Sequence, residues 1–354
     1  MFTPIPKRKT DMKKRRLVLC GLIFIAINMV ALGQLPCPLR LGDVGDITES
    51  DKFVAGVRII GAGADNYADL DFSTIGDVNG DGIDDFALGY VSDEDQGGFF
   101  SLVGGDEAGV GDDGVLDLQP EKGSKTRNPN GVGTSITGLG DVNGNGTPDL
   151  LFGDPSVQGT GLGYFVDGLT VFDLILSEAS QPTEWIEAHY GARLDGIAEN
   201  DDCGWAVAGI GDFNGDGLND FAISAPAADP YGKANAGEVY VIYGDSVGIG
   251  GNLELDRLDG ADGFVIRGGQ SYGFFGWSIA GAGDVNNDGY TDLLIGAPYE
   301  DGRGTNSGAA YIIYGGPDSP GTNGKSYIGY YGARARKLVG EAAYDYFGWS
   351  VSGD

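Results

Sequence analysis

The stretch that decides the fold runs from Asp284 to Asp292 and reads Asp-Val-Asn-Asn-Asp-Gly-Tyr-Thr-Asp. The same pattern of polar residues recurs three more times, as DVNGDGIDD at 77–85, DVNGNGTPD at 141–149 and DFNGDGLND at 212–220. Self-similarity at a fixed period is the signature of a repeat architecture, and a period of about seventy residues accommodates one four-stranded propeller blade.

The segments around each copy repeat as well. An alternating run such as Phe275–Ile279 precedes the loop, a short apolar run such as Asp292–Gly296 follows it, and a third run such as Gly308–Gly315 comes later. Outer strands are indicated at Gly263–Gly268 and Arg336–Gly340. Such short runs between glycine-rich turns predict an all-β fold, a β-propeller of about four blades plus the start of a fifth. The predicted blades span about 68–130, 131–201, 202–273 and 274–346, with a fifth from 347.

The flanks also carry a resemblance to a known family. Phe275-Gly276 followed by Gly296-Ala297-Pro298 spells the FG-GAP signature, and residues 55–354 resemble the N-terminal β-propeller of integrin α subunits. The resemblance implies a seven-bladed propeller, of which this sequence holds a C-terminally truncated part. It also makes the run Gly56–Gly61 a candidate closure strand. The third repeat departs from the signature with Cys203 at the Phe position.

The repeated loops predict metal sites. Positions one, three, five and nine carry side-chain oxygens, position six is a turn-forming glycine, and position seven offers a backbone carbonyl, a donor set that suits Ca²⁺. EF-hands and dockerins are disfavoured because position twelve is apolar in every copy. About four Ca²⁺ sites are predicted, mainly structural, the one at Asp141–Asp149 weakest because Asn145 replaces a carboxylate. The predicted ligands are Asp77, Asn79, Asp81, Ile83 and Asp85; Asp141, Asn143, Asn145, Thr147 and Asp149; Asp212, Asn214, Asp216, Leu218 and Asp220; and Asp284, Asn286, Asp288, Tyr290 and Asp292.

The net charge and the N-terminal segment indicate the protein's location and the partners that it does not favour. The net charge of −30 disfavours binding to nucleic acid and to anionic membranes. A basic segment up to Arg16, the apolar run Leu17–Leu32 and small residues before Gln34 predict a signal peptide at 1–33, followed by a linker at 34–54. A membrane anchor is the alternative for that run, and no other membrane span is predicted. A secreted or cell-surface protein, extracellular or periplasmic, is therefore expected.

Two function classes remain open. The resemblance favours a module that binds an extracellular protein or glycan, possible contacts being the loops 269–274 and 341–346 with Tyr272, Tyr344 and Tyr346. The alternative is the propeller part of a secreted hydrolase or polysaccharide lyase. Because His189 is the single histidine, a histidine-based triad and a histidine-rich zinc site are both excluded, and no catalytic residue is assigned.

Overall fold

The computed structural model describes residues 58–60, 71–78, 84–92, 97–103, 115–117, 124–128, 135–156, 159–168, 191–247, 249–317, 325–327 and 334–353. The predicted signal peptide (1–33), the linker (34–54) and His189 lie outside these residues. No helix in the described ranges is long and apolar enough to cross a membrane. The described strands are β1 (Arg58–Ile60), β2 (Asp71–Gly76), β3 (Asp85–Ser92), β4 (Gly97–Val103), β5 (Val115–Asp117), β6 (Ser124–Asn128), β7 (Ser135–Gly140), β8 (Asp149–Asp154), β9 (Leu162–Val166), β10 (Ala192–Asp195), β11 (Val207–Gly211), β12 (Asp220–Ala225), β13 (Glu238–Ile242), β14 (Gly251–Glu254), β15 (Gly263–Arg267), β16 (Ser278–Gly283), β17 (Asp292–Ala297), β18 (Ala309–Ile313), β19 (Lys325–Tyr327) and β20 (Ala335–Val339), with 3₁₀ turns at Pro230–Gly232 and Leu255–Arg257.

The strands belong to two compact units. One unit contains β1 and β5, which pair in parallel with Arg58 opposite Val115 and Ile60 opposite Asp117. The other contains four antiparallel meanders, ordered β2-β3-β4-β6, β7-β8-β9-β10, β11-β12-β13-β15 and β16-β17-β18-β20. In this larger unit the first strand of each meander contacts the first strand of the next, β2 with β7, β7 with β11 and β11 with β16. Sheets joined through their first strands are blades, so the predicted all-β propeller is confirmed.

The core of the larger unit lies between neighbouring blades. One cluster of buried side chains joins the third and fourth blades, and a second joins the second and third. Phe275, the Phe of the FG-GAP signature, is fully buried and meets the ring of Tyr311 edge-on at 5.3 Å between centroids. Cys203 occupies the corresponding position of the preceding repeat and is also fully buried. Burial of a side chain such as Phe275 stabilises the fold by about 1.5–3 kcal/mol.

Two blades gain a fifth strand that sequence reasoning missed. The strand β14 comes from the connection between β13 and β15, and it pairs in parallel with β10 of the preceding blade. In the same way β19, between β18 and β20, pairs in parallel with β15. Residues Gly251–Glu254 are mostly exposed, so they show no apolar alternation that could have predicted a strand.

The candidate closure strand makes a contact of this same kind. Arg58–Ile60 within the run Gly56–Gly61 forms β1, and its partner β5 lies between β4 and β6 in the chain, as β14 lies between β13 and β15. The strand β1 thus pairs as the outer strands β10 and β15 do. Closure of a propeller by this strand stays a prediction.

Candidate metal centres

Each predicted loop leaves its blade through a β-bulge at the end of the first strand. The pairing register shifts between Gly209 and Gly211 in β11 and between Gly281 and Gly283 in β16, and β2 and β7 show the same shift. The glycine that ends each bulge has a positive φ, for example 68° at Gly211, a conformation in which a side chain is strained. A bulge bends the strand and places an aspartate at the start of every loop.

The second, third and fourth loops close on themselves through one repeated set of hydrogen bonds. In the third loop the Gly217 amide donates to Asp212 Oδ2 at 3.0 Å, the Asp216 amide to Asn214 Oδ1 at 2.8 Å, and the Leu218 amide to Asp216 Oδ1 at 2.8 Å. The same donors and acceptors recur in the other two loops at 2.8–3.1 Å. Each loop therefore holds the oxygens of positions one, three and five within a single tight turn.

The aspartate at position nine has a second role that the sequence did not reveal. Asp220 is fully buried, and its carboxylate accepts from the Phe213 amide at 2.9 Å and from the Gly244 amide at 2.8 Å. The equivalent Asp149 and Asp292 accept the corresponding pairs of amides at 2.8–3.0 Å. This carboxylate thus joins the loop to the end of the third strand. Each carboxylate oxygen accepts more than one bond, so these contacts leave capacity for a cation.

Burial makes the position-nine carboxylates costly to ionise. It raises the pKa of Asp149 and of Asp220 to about 7 in each case, against the lowering effect of the amide donors. Burial also raises the pKa of Asp292, whereas hydrogen bonds from the Gly289 amide and its neighbours lower the pKa of the exposed Asp284. A bound cation would favour the charged form of all four groups.

The donor set fits a hard cation. At their predicted ligand positions the third and fourth loops each carry three carboxylates and one asparagine. Among the described residues, no lysine or arginine forms an ion pair with any of these side chains. No three Asp, Glu, His or Cys side chains in the described ranges converge as a ready cluster. The predicted set instead combines carboxylates with an amide and a main-chain carbonyl, the all-oxygen mixture that Ca²⁺ accepts.

Two loops differ from this description. In the first, Asp77 and Asp85 are described and Asp85 accepts from the Val78 amide at 3.0 Å, while Asn79, Asp81 and Ile83 lie outside the described residues.

In the second loop a carboxylate from outside the motif approaches the predicted ligands. Asp167 Oδ2 accepts from Asn143 Nδ2 at 2.5 Å and from Asn145 Nδ2 at 2.8 Å. Asp167 follows β9 directly and had no counterpart in the loop motif, so the spacing that identified the other residues could not find it.

Successive loops lie side by side. The Asn219 amide of the third loop donates to the Asp141 main-chain oxygen at 3.3 Å, and the Thr291 amide of the fourth donates to that of Asp212 at 3.2 Å. Position eight of one loop thus bonds position one of the loop before it. The candidate centres form a continuous row at one end of the first strands.

Aromatic rings occupy the other end of those strands. Trp277 lies between Trp205 and Trp349, with centroid distances of 4.7 and 5.1 Å, and Trp205 Nε1 donates to the Trp277 main-chain oxygen at 3.1 Å. Trp205 remains 37% exposed and Trp349 51% exposed. Tyr299 and Tyr346 pack edge-on against this row of tryptophans.

The loops that sequence reasoning proposed for ligand contact adjoin these rings. Tyr272 is 61% and Tyr344 63% exposed, whereas Tyr346 is half-buried. All three adopt positive φ angles, 60°, 66° and 51° respectively. A bulky residue in that region carries backbone strain, and such strain is concentrated at binding and catalytic sites.

A cavity of about 520 Å³ lies among the connections of the second and third blades, and its lining includes Asp201, Glu238 and Arg267. Glu238 lines the cavity and forms an ion pair with Arg267 at 2.7 Å. It also accepts a hydrogen bond from the Tyr240 hydroxyl at 2.6 Å. Asp201 also lines the cavity, and burial raises its pKa to about 6.

Comparison with known proteins agrees with the fold. A model of the FG-GAP repeat matches residues 204–242 and 275–313. The chain is 39% identical over 113 residues to phosphatidylinositol-glycan-specific phospholipase D of Rattus norvegicus, which covers 32% of this chain and 13% of that protein. It is 29% identical over 212 residues to integrin alpha pat-2 of Caenorhabditis elegans, covering 56% of this chain and 15% of the relative. Integrin alpha-V of Gallus gallus is 29% identical over 224 residues, covering 63% and 19% respectively.

The matched part of each relative is therefore a fifth of its length or less. The repeated blades, the FG-GAP matches and the integrin relatives lead to the same conclusion. The chain contains FG-GAP repeats, has a β-propeller fold and is similar to part of the integrin α subunits.

Proposed function

We propose that this chain is an exported, calcium-stabilised propeller module that binds an extracellular protein or glycan. The observation that carries the calcium part is the repeated loop geometry: in the third loop, the side-chain oxygens of Asp212, Asn214 and Asp216 are held within one turn, without an ion pair to a described lysine or arginine. Ca²⁺ would be held by oxygens at positions one, three, five and nine and by the main-chain carbonyl of position seven. It would offset repulsion among the carboxylates and stabilise the folded state by mass action.

The calcium test is a thermal melt of the exported chain with Ca²⁺ and with EDTA. At a free Ca²⁺ concentration of about 100 times the dissociation constant, each site that binds the folded state alone adds about 2.7 kcal/mol. Asp216→Asn removes a predicted ligand and should reduce the difference between the two melts. Asp259→Asn removes the same charge from an exposed turn, where Asp259 accepts from the Ala261 amide, and should leave the difference unchanged. Identical melting temperatures of the wild type with and without EDTA would remove the calcium claim.

The binding part of the proposal is supported by the aromatic end of the blades. Exposed tyrosine and tryptophan rings offer large contact areas at a low cost in side-chain entropy. The strained loops that carry Tyr272 and Tyr344 place two such rings in solvent. The probe is a glycan array together with immobilised extracellular-matrix proteins. A Tyr272→Ala, Tyr344→Ala double variant should have the melting temperature of the wild type and should no longer bind the captured ligand. Retained binding would mean that the binding site does not include these two tyrosines.

The phospholipase relative supports a second candidate, the propeller part of a secreted hydrolase. In this chain the test concerns the cavity lined by Asp201, because a carboxyl group with a pKa near 6 suits proton transfer near neutral pH. Cleavage of a glycosylphosphatidylinositol-anchored reporter or of a polysaccharide panel by the exported chain, abolished in Asp201→Asn, would favour this candidate. Absence of cleavage in the wild type would favour the binding module.

A further inference from the structure

The second loop differs from its neighbours in one hydrogen bond. In the third and fourth loops the asparagine at position three donates its Nδ2 to the Oδ2 of the position-five aspartate, Asn214 to Asp216 at 2.8 Å and Asn286 to Asp288 at 2.9 Å. In the second loop position five is Asn145, which has no carboxylate oxygen to accept this bond. On the motif alone, this loop keeps two carboxylates where the others have three.

Asp167 accepts the bond in place of the missing carboxylate. Its Oδ2 receives both Asn143 Nδ2 and Asn145 Nδ2, at 2.5 and 2.8 Å. By the pairing of the second and third strands, the positions equivalent to Asp167 in the next two blades are Tyr243 and Tyr314. The exchange of Asp for Asn within the loop therefore occurs in the one blade of these three that has an aspartate directly after its third strand.

Resting on the calcium sites proposed above, we propose that Asp167 is the third carboxylate of the second site. Its two bonds hold both amides with their oxygens directed to the loop: Asn143 Oδ1 accepts from the Asn145 amide at 3.0 Å, and Asn145 Oδ1 from the Thr147 amide at 2.8 Å. These are the acceptor roles that Asn214 and Asp216 have in the third loop.

The charge of the second site is thereby restored. Asp141, Asp149 and Asp167 give it three carboxylates, the number found in the third loop and in the fourth. The charge count of a site is one of the factors that set Ca²⁺ affinity. The second site should therefore bind Ca²⁺ about as tightly as its neighbours, in contrast to the order expected from the loop sequence.

The test compares two variants that remove one negative charge near the second loop. Asp167→Asn removes the carboxylate that is proposed to complete the site and that orients Asn143 and Asn145. Asp245→Asn is the control, because the Asp245 amide donates to the Val142 main-chain oxygen of the second loop at 3.1 Å while its side chain accepts from Val247 in a separate turn. Calcium titration calorimetry of the full chain counts the sites and measures their affinities. Loss of a group that orients metal ligands weakens binding by about 10- to 100-fold.

We expect Asp167→Asn to lose or weaken one site by about this factor, Asp245→Asn to match the wild type, and an added Asn145→Asp substitution to restore the site. If Asp167→Asn and Asp245→Asn bind alike, the assignment of Asp167 is overturned while the other sites stand. A wild type that takes up no Ca²⁺ overturns both proposals. Asn145→Asp alone supplies a test that does not depend on folding of the Asp167 variant. A gain of about 10-fold or more from it would mean that the wild-type site lacks a third carboxylate and would overturn the assignment.

Discussion

The first strands of neighbouring blades approach each other through glycines, and Gly209→Ala tests how close that contact is. A Cβ atom at Gly209 would lie 2.6 Å from the Gly138 main-chain oxygen and 3.2 Å from the Leu139 Cα. Both neighbours are backbone atoms, so β7 and β11 would have to separate. Overpacking of this kind costs about 1–3 kcal/mol, offset by about 0.4–1 kcal/mol from the lower entropy of the unfolded chain. We expect a net loss of about 1–2 kcal/mol in the free energy of unfolding.

The assay is urea denaturation followed by tryptophan fluorescence, with Ca²⁺ present throughout. Gly250→Ala is the matched control, because the nearest atom to a Cβ there is the Gly191 main-chain oxygen at 3.8 Å, an ordinary contact. The control should equal or slightly exceed the wild type in stability, while Gly209→Ala shifts the unfolding midpoint to lower urea. Equal midpoints for the two variants would refute the close approach of blades through Gly209.

Three further predictions concern single side chains. Trp277→Ala removes the ring between Trp205 and Trp349 and should lower the free energy of unfolding by about 1–3 kcal/mol in the same urea assay, because each aromatic pair contributes about 0.5–1.5 kcal/mol. Ser135→Ala should cost about 1–2 kcal/mol, since the Gly204 main-chain oxygen loses a buried hydrogen bond of 2.9 Å, and an unchanged midpoint would contradict this. The pKa of Asp201 is raised in the fold to about 6, so its stabilising contribution is complete below pH 3.8 and is lost as the pH rises through about 6. The melting temperature of Asp201→Asn should therefore depend less on pH across that window than that of the wild type.

Local sequence patterns were sufficient to locate the blades and the loops of three candidate centres. The strands β11, β12 and β13, and their counterparts β16, β17 and β18, coincide with apolar runs whose alternation and length are readable from the sequence. The loops between them were identified by the spacing of aspartates and glycines, and the structure closes the second, third and fourth loops with one hydrogen-bond pattern. The calcium itself stays a proposal, as does any ligand.

Long-range contacts could not be predicted from the sequence, for a physical reason. The fifth strands β14 and β19 pair through main-chain groups with strands of the preceding blade, and no side-chain pattern marks such a partner. The exposure of Tyr272 and Tyr344 likewise depends on how their loops pack, and composition does not encode it.

By itself the sequence determined the repeat, the all-β class and the oxygen-rich loops, because turns, alternation and ligand spacing depend on residues that are close together in the chain. The tertiary structure alone decided that Asp167 meets Asn143 and Asn145, more than twenty positions earlier, since the end of the third strand returns to the loop that follows the first. It also decided that the aspartate at position nine is buried and bound to main-chain amides, as at Asp220. A carboxylate at that position connects a local loop to a distant strand, and this connection exists only once the blade has folded.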